Sequence, residues 1–231
     1  MQVHWGAHMD ISPILISMKT ASVAIVFTFV LGLAAARWVV SIKKRWVRAV
    51  FDGVFTLPLV LPPTVAGFFL LYIFGIYRPV GRFFLDYFNI RIAFSWGATV
   101  IAAFVISFPL MYRSARGALE QVDPDLSGAA RTLGMSEWKI FTKVVIPNAA
   151  PGILSGAVLA FARGLGEFGA TAMIAGNIAE KTRTLPLAVY SEVAAGNMDK
   201  AYDYVLILLL ISFIVVLVMN ALAGGRRRRV A

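Results

Sequence analysis

The sequence predicts an all-α membrane protein with about five transmembrane helices, forming one domain over residues 1–231. Three observations lead there. Hydrophobic residues make up 59% of the chain, against roughly 45–50% in ordinary soluble domains, and the mean hydropathy is +0.78. A soluble core cannot absorb that much apolar surface, so the bilayer must act as solvent. Five long uncharged runs follow one another, at residues 20–36, 53–77, 92–112, 146–162 and 204–225. Each approaches or exceeds the ~17–25 residues with which a helix crosses a bilayer. The basic residues, finally, gather on alternate loops.

The first run lies between Lys19 and Arg37, and the fourth ends at Arg163. Snorkelling of such side chains lets a run of about 17 residues still span. No strongly positive segment precedes the first run, and its length exceeds that of a cleavable signal. The second run contains Pro58, Pro62 and Pro63. Interior proline removes a backbone donor and kinks a helix, whereas proline in a first turn is tolerated. The helix therefore starts near Pro63 or bends there. A bend suits a moving gate, and a plain helix boundary is the other reading. Residues 168–179 form a sixth apolar stretch, too short to span, which reads as a re-entrant segment or a helix continuation.

Fourteen basic residues follow runs one, three and five: Arg37, Lys43, Lys44, Arg45 and Arg48; Arg113, Arg116, Arg131, Lys139 and Lys143; and Arg226 to Arg229. The other two loops hold six, Arg78, Arg82, Arg91, Lys181, Arg183 and Lys200. The positive-inside rule then places the N-terminus outside and the C-terminus in the cytoplasm. The net charge of +10 flanks membrane spans and does not line one face of a folded domain, so it points to lipid and not to nucleic acid. The absence of cysteine excludes disulfides, thiolate metal sites and thiol nucleophiles. His4 and His8 stand four apart in the N-terminal tail, a pair read as solvated and not as a metal site. No nucleophile–base pair or metal cluster suggests an enzyme.

Residues 164–169, GLGEFG, match the glycine pattern of dinucleotide-binding turns. That pattern works only between a strand and a helix of a parallel sheet, whereas here it ends a membrane span. Close helix packing is the preferred reading. Arg163 and Glu167 stand four apart and can pair on one helix face. They belong to a pathway or packing contact within the membrane, or they sit at its outer interface.

The richest polar segment is residues 113–148. Asp123-Pro124-Asp125 can cap and open a helix, Ala129, Ala130 and Leu133 favour it, and Gly134 stops it. Residues 136–141 can begin another, with Trp138, Phe141, Val144 and Val145 on an apolar stripe. Two short helices about a glycine bend would make a compact knob facing the cytoplasm.

Ala129-Ala130, then Gly134, then nine residues to Val144, Ile146 and Pro147 resemble the "EAA" loop of ABC-importer permeases. Gly128 stands where that loop often carries glutamate, with Asp125 the acidic residue offered instead. Residues 56–67, 94–97, 107–113, 161–171, 175–178 and 182–186 extend the likeness to the molybdate permeases, with sulfate and thiosulfate permeases as the sister group. The resemblance implies an ABC-importer permease fold with a cytoplasmic coupling helix, Ala129, Ala130, Arg131, Leu133, Gly134, Met135, Ile146 and Pro147 meeting the ATPase. It also implies a second copy of the chain, a cytosolic ABC ATPase dimer holding ATP and Mg, and an external oxyanion-binding protein. This chain would bind no cofactor or metal itself, and it lacks the phosphate-loop lysine motif of an ATPase. Lys19, Pro62, Pro63, Arg163, Glu167 and Thr171 are the candidates for the pathway or gate. The expected cargo is molybdate, with tungstate accepted as its near-isostere. Sulfate or thiosulfate is the alternative cargo, and a non-transporting membrane scaffold is the alternative of a different class.

Overall fold

A computed structural model describes residues 10–227, with side chains through Val218. His4, His8, Arg228 and Arg229 lie outside the described residues. Among those described there is no strand. The elements run α1 (Ser12–Ser41), α2 (Arg45–Val60), α3 (Pro63–Phe74), α4 (Pro79–Phe88), α5 (Trp96–Glu120), α6 (Pro124–Thr132), α7 (Glu137–Ile140), α8 (Ile146–Leu165), α9 (Gly169–Ile174), α10 (Leu185–Ala194) and α11 (Met198–Arg227). A π-helical turn, Phe141–Val145, fuses α7 to α8, so Glu137–Leu165 is one continuous helix of 29 residues.

Helices α1 and α5 run parallel through the centre. Thr20 pairs with Thr99 at 2.9 Å and Thr28 with Ser107 at 3.0 Å, so the register is constant over eight residues of each helix. These four hydroxyls are buried, and pairing them answers the cost of polar groups away from water. Small residues let the helices approach. A Cβ on Gly32 would stand 2.8 Å from Met111 Cγ, and one on Gly152 would stand 2.7 Å from Ala118 Cβ. Gly152 lies beside Ala118 and Gly164 beside Ala103, so α8 runs antiparallel to α5. The Tyr204 hydroxyl donates to the Asp10 carbonyl at 2.9 Å, which brings the starts of α11 and α1 together. The bundle thus has a Trp96 end and a Glu120 end. Arg37, Arg48, Arg113, Arg116, Arg131 and Lys139 all fall toward the latter.

Run two does not form a single straight helix. Leu61 and Pro62 are extended, with ψ of 139° and 135°, and α2 and α3 meet at 111°. Pro62 and Pro63 offer no amide hydrogen, so the helical ladder stops and restarts with Pro63 in its first turn. Both sequence options therefore hold together: the helix restarts at Pro63, and the chain bends. Residues 168–179 contain α9 as a separate six-residue helix packed on α3. The amphipathic α4 and the short α10 were not anticipated.

The pair of short helices expected around Gly134 is corrected. Only α6 is separate; residues 137–148 form the base of the α8 helix, and residues 113–120 continue α5. The apolar stripe is the reason. Phe141 and Val145 pack on the core around Ala36 and Val39 and draw the segment into the bundle. Arg37 lies over the Phe141 ring at 3.8 Å and over the Trp138 ring at 5.1 Å.

Candidate functional site: a mid-bundle break and a coupling surface

Two interruptions of the helical scaffold meet. One is the α2–α3 bend at Pro62 and Pro63, and the other is Gly166–Phe168 between α8 and α9. A Cβ on Gly169 would stand 3.1 Å from Pro63 Cβ and from Thr64 N. A Cβ on Gly67 would stand 2.6 Å from Ala170 Cα, so α3 and α9 touch through backbone. GLGEFG therefore serves close packing. Thr171, in the first turn of α9, is buried.

Glu167 ties the break together. Only 2% exposed, it accepts from Arg163 Nη1 through Oε2 at 2.6 Å and from the Ala170 amide through Oε1 at 2.8 Å. One carboxylate thus neutralises a cation and satisfies the first turn of α9. The depth follows from packing. Gly164 lies against Ala103 and Ser107, within the middle of α5 and of the 92–112 apolar run. The pair accordingly lies within the bundle, which fits the packing reading. The reason is that α8 ends at Leu165 and the chain goes on toward the Trp96 end as α9. Lys19 is elsewhere, its Nζ 4.3 Å from the Trp96 ring centroid. At 1.5 Å rise, the seven residues from Trp96 to Ala103 separate it from the pair by about 10 Å along α5.

At the Glu120 end, Asp123 caps α6 by accepting from the Asp125 amide at 2.9 Å, with Pro124 in the first turn. Gly134, at φ +75°, closes the helix, and the Met135 amide bonds the Ala130 carbonyl at 3.1 Å. Arg131 donates to Glu137 from Nε at 2.6 Å and from Nη2 at 3.1 Å, bracing α6 against the α8 base. That hydrogen-bonded carboxylate raises the Arg131 guanidinium pKa further above its ordinary value. Ala130 is buried and Met135 half-buried, whereas Ala129, Arg131, Leu133 and Gly134 are exposed, Leu133 at 80%. Ile146 packs inward on the core, and Pro147 is exposed nearby. Beside α6 a cavity of about 720 Å³ opens between α5 and α8, lined by Arg113, Gln121, Asn148 and Ser155 among others.

Sequence reasoning missed the network joining α2 to α5. The Tyr112 hydroxyl donates to Asp52 Oδ1 at 2.9 Å. Arg116 pairs with Asp52 and, through Nε at 3.0 Å, with Glu120, which also pairs with Arg48. A signal was present: Asp52 is the one acidic residue between Asp10 and Asp86.

Residues 13–230 match the family described as the binding-protein-dependent transport system inner membrane component, and the chain belongs to that family. It is 42% identical over 217 residues to the molybdenum transport system permease protein ModB of Escherichia coli K12, covering 94% of each chain. It is 39% identical over 192 residues to ModB of Haemophilus influenzae, covering 83% of each. The fold is that of an inward-facing MetNI methionine ABC transporter structure, with a TM-score of 0.72 at 17% identity over 94% of this chain and 95% of that one.

Proposed function

We propose that this chain is the membrane-spanning permease subunit of an ATP-driven importer that moves molybdate, and tungstate with it, into the cytoplasm. The observation that carries the reading is the near-full-length identity of about two in five residues with proteins named for molybdenum transport. No comparison favours sulfate. The scaffold alternative leaves the capped, exposed α6 without a purpose.

The Glu120 end is the cytoplasmic end, with the N-terminus outside, as the basic-residue bias argues. The exposed face of α6, with Leu133 at its C-terminal end, docks on a cytosolic ATPase that carries ATP and Mg. Two copies of the chain pair about a two-fold axis, since this small bundle alone gives little enclosure for a hydrated anion. An external oxyanion-binding protein supplies selectivity. The α2–α3 and α8–α9 breaks form the gate: discontinuous helices are where irregular backbone is tolerated at membrane depth, beside a cavity or buried in protein. ATP binding closes the ATPase pair, and α6, braced through Arg131 and Glu137 to the α8 helix, passes that motion to Arg163 and Glu167 at its far end. Arg163, with a third of its side chain exposed, can make a brief contact with a passing anion while Glu167 keeps it from trapping the cargo.

The absence of cysteine allows a direct test of orientation. Single cysteines at Ser41 and Ser136 are expected to label only from the cytoplasmic side, and one at Asn197 only from outside. Labelling of Ser136 by an impermeant reagent in intact cells would reverse the assignment. Coupling is tested at Gly134, where nothing stands within 4 Å of an added Cβ, so only the positive φ resists substitution. A branched residue in that region costs about 1–3 kcal/mol. Gly134→Val is expected to leave insertion and dimerisation intact while lowering transport at least about tenfold, the equivalent of ~1.4 kcal/mol at the docking surface. Wild-type uptake and ATPase stimulation would refute the role. Uptake of molybdate against sulfate by the reconstituted complex tests the cargo.

A further inference from the structure

The rim of the bundle at the Trp96 end carries an arrangement that the transport cycle does not use. Arg78, Arg82 and Arg91 fall within fourteen residues there, with Asp86 the one acidic residue in that stretch. Asp86 is paired with Arg82 at 3.3 Å, and among the described residues neither Arg78 nor Arg91 has a carboxylate partner. Half of the six basic residues expected outside thus fall in one short stretch of the chain, against the bias that orients it.

An apolar groove of about 430 Å³ opens beside them, lined by Phe68, Leu71, Tyr72, Ile76, Ala93 and Phe94, with Arg78 at its edge. The Arg78 guanidinium lies 3.8 Å from the Tyr72 ring centroid, which fixes the cation over the groove wall. Arg78 also caps α4. On that helix Gly81 is buried against the end of α3, while Val80, Phe83 and Tyr87 share an exposed face and Arg82 and Asp86 lie on the other side. A short helix with an aromatic face, a charged face and an attachment at the end of a membrane span has the features of an interfacial helix.

We propose that this rim is a binding site for an anionic phospholipid of the outer leaflet, whose acyl chain fills the groove along α3 while its phosphate meets Arg78 and Arg91. The site rests on the orientation proposed above and is independent of the cargo. A second copy of the chain is the poorer occupant, because a two-fold contact through this rim would bring equivalent arginines together. Lipid brings the opposite charge and an apolar chain at once.

The full chain, purified with its ATPase from membranes and equilibrated with vesicles of phosphatidylglycerol and phosphatidylethanolamine, is to be examined by native mass spectrometry for retained lipid. Retention of phosphatidylglycerol over phosphatidylethanolamine is expected. Arg78→Gln and Arg91→Gln are each expected to lower retained phosphatidylglycerol about fivefold, the effect of one basic side chain near an anionic surface. Arg78→Lys should restore most of it. Ile76→Glu, which puts a carboxylate in the groove, should lose both lipids. Equal retention of the two lipids, or retention unchanged in both arginine variants, would overturn the proposal. So would an arginine variant that changes only the oligomeric state or the affinity for the binding protein, since the rim would then be a protein contact. Uptake of molybdate by the wild-type complex bears on the cargo alone, so the two readings fail separately.

Discussion

Glu167→Leu is expected to abolish transport and to destabilise the protein more than any other single polar change. The carboxylate is the partner of Arg163 and the acceptor for the Ala170 amide, both within the bundle. Removing one member of a buried ion pair costs about 3–5 kcal/mol, because the remaining charge loses its compensation. An arginine near the centre of a membrane helix carries a penalty of about 2.5–3.5 kcal/mol on insertion scales. Glu167→Gln should fall between, since its amide oxygen can still accept from Ala170 while the charge is lost. Combining Glu167→Leu with Arg163→Met should recover much of the stability but not the transport. Thermal unfolding and ATP-dependent uptake separate these effects. If Glu167→Leu unfolds and transports like the wild type, the pair does not hold the break.

The second large effect is expected at Gly67. An added Cβ there would stand 2.6 Å from Ala170 Cα, 2.8 Å from its carbonyl oxygen and 2.8 Å from Met173 Cβ. Two of those atoms are backbone, so no rotamer change relieves the contact, and α3 must move away from α9. Overpacking of this kind costs about 1–3 kcal/mol, occasionally more. Gly67→Val should reach or exceed the upper end and lower uptake with it. Gly53, with nothing within 4 Å of its Cβ position and a place inside α2, is the control. Gly53→Ala should be neutral or stabilise by about 1 kcal/mol through helix propensity. A Gly67→Val protein as stable as Gly53→Ala would show that the α3–α9 approach is looser than described.

The spans were legible because twenty or so apolar residues between charges leave few other structures open to the chain. The α6 helix was legible for a local reason: Asp123, Pro124 and Gly134 are start and stop signals that act through their own backbone. The depth of Arg163 and Glu167 was not legible. It depends on the continuous α7–α8 helix beginning at Glu137, and thus on Phe141 and Val145 packing against α1, which no local signal records. The Asp52–Arg116–Glu120–Arg48 network was hidden for the same reason, since its members come from helices paired only by the fold. The pathway residues named from sequence divide accordingly. Pro62, Pro63, Arg163, Glu167 and Thr171 converge on the break, whereas Lys19 stands by Trp96. The amphipathic α4 was overlooked because its aromatic residues interrupt a charged segment and reach no span length.

The most direct test of transport is ATP-driven uptake into proteoliposomes holding this chain with its ATPase and its external binding protein. The three components are incubated with radiolabelled molybdate, tungstate or sulfate, with and without ATP. Accumulation of molybdate and tungstate that requires both ATP and the binding protein, with sulfate at background, is the expected result. Sulfate uptake without molybdate or tungstate would contradict the cargo, and no ATP-dependent uptake of any of the three anions would contradict the account as a whole.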